Sequence, residues 1–85
     1  MPYYVYVLLC ADGSYYTGYT KNVDSRFRLH VSGKGARYTR LHRPKKLVHV
    51  EELPTRSEAM KRERRVKKLS HAQKARLARA KKKAR

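Results

Sequence analysis

The stretch Tyr4-Val5-Tyr6-Val7-Leu8-Leu9-Cys10, then Ala11-Asp12-Gly13-Ser14, then Tyr15-Tyr16-Thr17-Gly18-Tyr19-Thr20, decides how this chain folds. Its first part is β-branched, aromatic and free of Gly and Pro, and reads as a strand buried on at least one face. The middle four residues carry turn chemistry, and the last six read as the return strand of a β-hairpin. Gly18 weakens packing inside that strand, which marks a bulge or a place where another group comes close to the backbone. Turn length decides which tyrosines meet. A three-residue Ala11-Asp12-Gly13 turn, with Gly13 left-handed, sets Cys10 opposite Ser14, Leu8 opposite Tyr16 and Tyr6 opposite Gly18. Tyr6 and Tyr16 are then diagonal neighbours on one face, ~7–8 Å apart. A two-residue Asp-Gly turn puts them on opposite faces instead. Strand tyrosines ordinarily serve packing; two hydroxyls meeting beside a glycine is the less ordinary case.

Downstream, Asn22 or Asp24 caps a helix running to about Val31, whose apolar stripe is Val23, Phe27 and Val31. Ser32-Gly33-Lys34-Gly35 stops it, and the chain to Lys46, with Lys34, Arg37, Arg40, Arg43, Lys45 and Lys46, reads as a mobile basic loop. Leu47–Glu52 reads as a third strand ended by Pro54. Thr55-Arg56-Ser57-Glu58 is a capping box for a second helix with the stripe Ala59, Met60, Val66 and Leu69. A second box, Ser70-His71-Ala72-Gln73, opens an Ala-rich helix that only Leu77 can anchor, so it is expected to order on a partner. The run Lys81-Lys82-Lys83 with Arg85 makes its end a basic arm.

With 85 residues the chain is one small domain with a thin core. Its 23 Lys and Arg against 6 Asp and Glu give a net charge of +17, one excess positive charge for every five residues. Residues 54–85 carry 14 basic and 2 acidic side chains, so +12 of the +17 sits there. That surplus calls for a polyanionic partner, and nucleic acid fits better than an anionic membrane surface. A lone Cys10 rules out an internal disulfide and suits the cytoplasm. The longest apolar run, Val5–Ala11, is too short for a bilayer span or a secretory core. One Cys and the scattered His30, His42, His49 and His71 match no zinc-site spacing.

One polar residue sits where an apolar one is expected, and two more flank an apolar stripe. Glu63 lies four residues after Ala59 and three before Val66, placing a carboxylate on the core-facing stripe of the second helix. Its ordinary explanation is an ion pair with Arg; the sharper one is a ligand to a hard divalent cation. Arg26 and His30, four apart, share one edge of the first helix. Ordinary solvated surface is the simpler reading, although a guanidinium beside an imidazole also suits a phosphate and a proton transfer.

Together these residues resemble the GIY-YIG nuclease superfamily. Tyr4-Val5-Tyr6 stands at the first motif and Tyr16-Thr17-Gly18 at the second, followed by the Arg26/His30 helix and the Ala59-x-x-x-Glu63 helix. The likeness runs to about Leu69, is closest to small stand-alone bacterial members, and extends to the Gly33–Arg40 loop. Tyr4 replaces the leading Gly and Thr17 the Ile, while both motif tyrosines are kept. The resemblance implies phosphodiester hydrolysis with one Mg²⁺ or Mn²⁺ held by Glu63. Tyr6 helps deprotonate water, which requires cations that favour its phenolate; Tyr16 lines the site, Arg26 binds phosphate, and His30 relays a proton.

The expected fold is α/β: a small three-stranded, mostly antiparallel sheet flanked by helices, in the order β-β-α-β-α plus a C-terminal helix. Residues 1–69 form the nuclease-like domain and 70–85 the basic helix or arm. The expected function is a DNA endonuclease in repair or processing, gripping backbone through Lys34, Arg37, Arg40, Lys45, Lys46, Lys67 and Lys68. A protein partner could supply specificity. The alternatives are a non-catalytic nucleic-acid-binding module that keeps the fold and, behind it, a basic ribosome- or membrane-associated protein.

Overall fold

A computed structural model describes residues 2–80; the basic run Lys81–Lys83 and Arg85 lies outside the described residues. In chain order the elements are β1 (Tyr3–Cys10), β2 (Tyr15–Thr20), α1 (Val23–Val31), α2 (Arg37–Leu41), β3 (Pro44–Leu53), α3 (Arg56–Lys67) and α4 (His71–Ala80). The three strands form one antiparallel sheet in the order β2-β1-β3.

The hairpin takes the longer of the two turns. Gly13 has φ +87°, open to glycine at no steric cost. Cys10 N–H donates to Ser14 O at 2.8 Å, and the Asp12 carboxylate accepts from the Ser14 amide at 3.0 Å and its hydroxyl at 2.6 Å. The register therefore sets Tyr6 opposite Gly18 and Leu8 opposite Tyr16, and Tyr6 and Tyr16 share a face.

As the central strand, β1 is covered on both sides, which is why Val5, Tyr6, Val7 and Leu8 are all buried. Val5 and Val7 face α3, meeting Val48, Ala59 and Val66 in the apolar core. Leu69, Leu77 and Ala78 pack against the same cluster, so α4 lies folded on the sheet. The capping box that starts α4 closes reciprocally: Ser70 N–H donates to Gln73 Oε1 at 2.9 Å and Gln73 N–H to Ser70 Oγ at 3.2 Å. Tyr6 and Leu8, both buried, occupy the other face, where Tyr6 meets His30 of α1.

Two sequence expectations need correction here. Residues 33–46 are not one loop: they contain the short helix α2, and β3 begins at Pro44, three residues early. Register shifts at Val48 and Lys45 let β3 follow β1 through to Cys10–Pro44. The segment is also tied down, because Thr39 Oγ1 donates to Ala36 O at 3.0 Å and His42 Nδ1 lies 2.6 Å from Asp12 Oδ2 across the hairpin turn. The second correction concerns α1. Its expected inward residue Val31 is 56% exposed, whereas His30 is only 1% exposed. The helix is turned so that an imidazole with partners for both nitrogens faces the sheet, and a buried polar ring is stable only on that condition.

Candidate active site

Three elements converge on the face of the sheet opposite the apolar core. The Tyr6 ring reaches from β1 across β2, and its path exists because residue 18 has no side chain: a Cβ there would lie 2.5 Å from the Tyr6 hydroxyl. That hydroxyl meets His30 Nε2 from α1 at 2.8 Å, and His30 Nδ1 meets Thr39 Oγ1 from α2 at 2.7 Å. Gly35 closes the other side, where any Cβ would run into the His30 ring. Each glycine is thus needed for the close approach of one partner in the Tyr6–His30 pair.

Valence sets the direction of these bonds. Thr39 has one hydroxyl hydrogen, and it goes to Ala36 O. Its oxygen must then accept from His30 Nδ1–H, which leaves Nε2 bare, so the Tyr6 hydroxyl donates to Nε2. His30 is thereby a neutral acceptor aimed at a phenol. Burial, and next the positive charge of Arg26, push the His30 pKa below its ordinary value and keep it neutral near pH 7.

The phenols move the other way. Burial first, and then Tyr16, raise the Tyr6 pKa well above the ordinary phenol range; Arg26 opposes this and Glu63 adds to it. Tyr16 is raised by burial and by Glu63, with Arg26 again opposing. Among the protein's own groups Arg26 pulls Tyr6 toward the phenolate, and burial outweighs it.

Tyr16 packs in the same cluster, its ring centroid 6.3 Å from Tyr6 and 5.1 Å from His30. Arg26 is exposed on α1, and Glu63 on α3 keeps a half-buried carboxylate, 16% exposed, whose ion pair with Lys67 spans 3.5 Å. The ordinary partner foreseen for Glu63, an arginine, belongs instead to Glu51, which Arg62 grips through two bonds of 2.7 and 2.8 Å. Lys34, Arg37, Arg40, Lys45, Lys46, Lys67 and Lys68 are all exposed.

Among the described residues no three His, Cys, Asp or Glu side chains gather into a preformed metal cage. A single half-buried carboxylate still fits Mg²⁺, which keeps most of its waters and takes one or two protein carboxylates together with substrate phosphate oxygens. The weak Lys67 pair, exposed on the lysine side, is easily displaced by such an ion.

Sequence reasoning missed Thr39 and Gly35. Thr39 is 1% exposed and orients His30, yet it stands in a polar, basic segment without periodicity. Gly35 reads as a helix stop and as part of the Gly33–Arg40 likeness, with no role of its own; its pairing with Gly33 is the available signal, since Gly33 at φ +85° already serves the turn and leaves Gly35 for another purpose.

A model of the GIY-YIG catalytic domain matches residues 2–76. A UPF0213 protein of Natronomonas pharaonis is 53% identical over 75 residues, 88% of each chain. Another, of Halalkalibacterium halodurans, is 52% identical over 77 residues, 91% of this chain and 82% of that protein. Archaeal and bacterial proteins are thus both among its relatives. The solution NMR structure of a UPF0213 protein from Bacillus halodurans has a TM-score of 0.59 and 51% identity, covering 95% of this chain and 86% of that one. For an E. faecalis protein the values are 0.63 and 46%, covering 94% and 85%.

Proposed function

The chain belongs to the GIY-YIG family of nuclease catalytic domains, and from that premise we propose that it is a divalent-metal-dependent endonuclease hydrolysing phosphodiester bonds in DNA, in its repair or processing. The observation that carries this reading is the 2.8 Å bond from the Tyr6 hydroxyl to the bare Nε2 of a buried, neutral His30. A pure binding module has no use for that arrangement. A phenol donating to a neutral imidazole is a proton relay.

With Tyr6 shifted up and His30 shifted down, a standing phenolate–imidazolium pair is strongly disfavoured. Tyr6 therefore acts in one motion: its oxygen takes a proton from the attacking water while its own proton passes to Nε2. Thr39 holds Nδ1–H throughout, fixing the ring and its tautomer. Arg26, exposed beside the pair, binds the scissile phosphate and stabilises the charge that grows on it. Tyr16 walls the relay from bulk water. Glu63 holds the metal ion, which when bound activates the phosphate and stabilises the leaving oxygen.

Nucleic acid is the expected partner, held electrostatically through the exposed basic residues of α2, β3 and α3. The test is cleavage of labelled single- and double-stranded DNA with Mg²⁺ or Mn²⁺ by wild type, Glu63→Ala and Tyr6→Phe. Metal-dependent cutting lost in both variants with binding retained supports the reading. Binding by wild type without cutting assigns the chain to the non-catalytic module instead.

A further inference from the structure

Beyond the relay, the aromatic side chains continue toward the surface. Tyr16 stacks on Tyr38 of α2 with centroids 5.8 Å apart and planes 27° apart, and Tyr38 stacks on His42 at 4.1 Å and 19°. This near-parallel run of three rings starts beside Tyr6 and His30 and ends at an imidazole that is 36% exposed. None of the three joins the apolar core on the opposite face of the sheet.

The last ring is held in an informative way. His42 Nδ1 lies 2.6 Å from Asp12 Oδ2, so the carboxylate of the hairpin turn grips the imidazole through a ring nitrogen. One face of the imidazole rests on Tyr38. Neither contact covers the second face. Arg37 and Arg40, exposed on the same short helix, and the neighbouring exposed Arg43 supply positive charge around it. A flat ring, fixed in orientation, with one face backed and arginines nearby, suits a nucleobase whose phosphates the arginines hold, and base–aromatic stacking is worth ~1–3 kcal/mol per base.

We propose that the open face of His42, braced by Tyr38 and Asp12, is a stacking platform for an unpaired nucleobase next to the cleavage site, so that the substrate is single-stranded or locally unpaired nucleic acid. In a duplex the base faces are already stacked on their neighbours and cannot engage the ring. The inference rests on the nuclease reading for its placement beside Tyr6. Arg37 and Arg40, read from sequence as general backbone contacts, then flank one particular nucleotide.

The test is equilibrium binding without metal, by anisotropy, of a short labelled DNA single strand, the same strand with abasic positions, and its duplex. The abasic strand keeps every phosphate and loses the stacking faces. Wild type is expected to bind the intact strand about tenfold more tightly than the abasic one. His42→Ala should remove that ratio and leave duplex binding unchanged, while His42→Phe, which keeps a ring without the Asp12 bond, should retain part of it. Equal affinity for intact and abasic strands overturns the platform, and the wild-type comparison depends on no variant folding. Adding Mg²⁺ to the same strands separates the two readings. Cutting with no base dependence of binding removes the platform and keeps the nuclease; base-dependent binding without cutting does the reverse.

Discussion

On one side of the sheet Val5, Val7 and Val48 meet Ala59 and Val66 in a cluster held by dispersion and exclusion of water, while on the other Tyr6 and His30, equally buried, are held by a directed chain of hydrogen bonds ending at Thr39. Both sides are read from the same strand, since alternate residues of β1 point opposite ways. The apolar side asks for volume and shape, without directed bonds. The polar side works only with these donors and acceptors at these distances. On the proposed reading stability and chemistry are thus divided between odd and even positions of eight residues, and substitutions can pull them apart.

The widest separation is expected between Tyr6→Phe and Val7→Ala. Removing one hydroxyl keeps the ring over Gly18 but ends the relay and leaves the buried His30 Nε2 without its donor, so cleavage should fall ~100-fold or more and about 1–3 kcal/mol of stability should go with it. Val7→Ala deletes two buried methyl groups and should cost roughly 2 kcal/mol, or about 10 °C in Tm, with cleavage below the transition close to wild type. A loss of cleavage in Val7→Ala as large as in Tyr6→Phe, assayed below both melting transitions, breaks the division between the faces.

Gly18→Ala and Gly35→Ala strike where the two kinds of order meet. Each added methyl collides with one member of the Tyr6–His30 pair and pushes it off line. Overpacking of this sort costs about 1–3 kcal/mol. Cleavage should fall in both variants, and a crystal or NMR structure should show the 2.8 Å bond lengthened. Gly18→Ala with full activity would falsify the idea that Tyr6 must lie flat across β2.

Much of this was legible in residue order. The hairpin, the three-residue turn as one of two options, and the meeting of Tyr6, Gly18 and Tyr16 all follow from period-two alternation and one left-handed glycine. The burial of His30 did not follow, because Val23, Phe27 and Val31 form a better apolar stripe than the face α1 buries. What turns the helix is Thr39, nine residues on, and a long-range hydrogen bond leaves no periodic trace. The extension of β3 to Pro44 was hidden likewise, because bulges at Val48 and Lys45 break the alternation by which a strand is recognised.

The polar face should also show its own pH dependence. His30 has a folded pKa below the ordinary 6.5, so the unfolded chain binds its proton more readily. Stability from the neutral ring is present above that ordinary value and is lost as pH falls through the lower, folded one. Protonation also removes the acceptor of the Tyr6 proton. Cleavage and stability should therefore decline together on the acid side, below pH 6.5, and His30→Gln should lose the shared limb. A rate profile flat through this range places the proton acceptor elsewhere.

The smallest expected effect comes from a polar group on the apolar side. Glu51 accepts from His49 at 2.7 Å and from Arg62 at 2.7 and 2.8 Å, and the His49 bond, aided by Arg62, holds its carboxyl down to about 2 from 4.5. A lowered carboxyl stabilises the fold above its unfolded pKa and loses that contribution as pH falls toward the folded value. Arg62 is 34% exposed and Glu51 23%, so solvent screens the pair and Glu51→Gln should cost about 1 kcal/mol at neutral pH. Urea denaturation should show this gap closing as pH falls from 4.5 toward 2, where the wild-type carboxyl also gains a proton. The cleavage profile should not move, because Glu51 lies on the face that carries stability and the relay lies on the other. A shift in the acid limb of cleavage on Glu51→Gln would show that charge on one face is felt at the chemistry of the other, and the two faces would then be one system joined through β1.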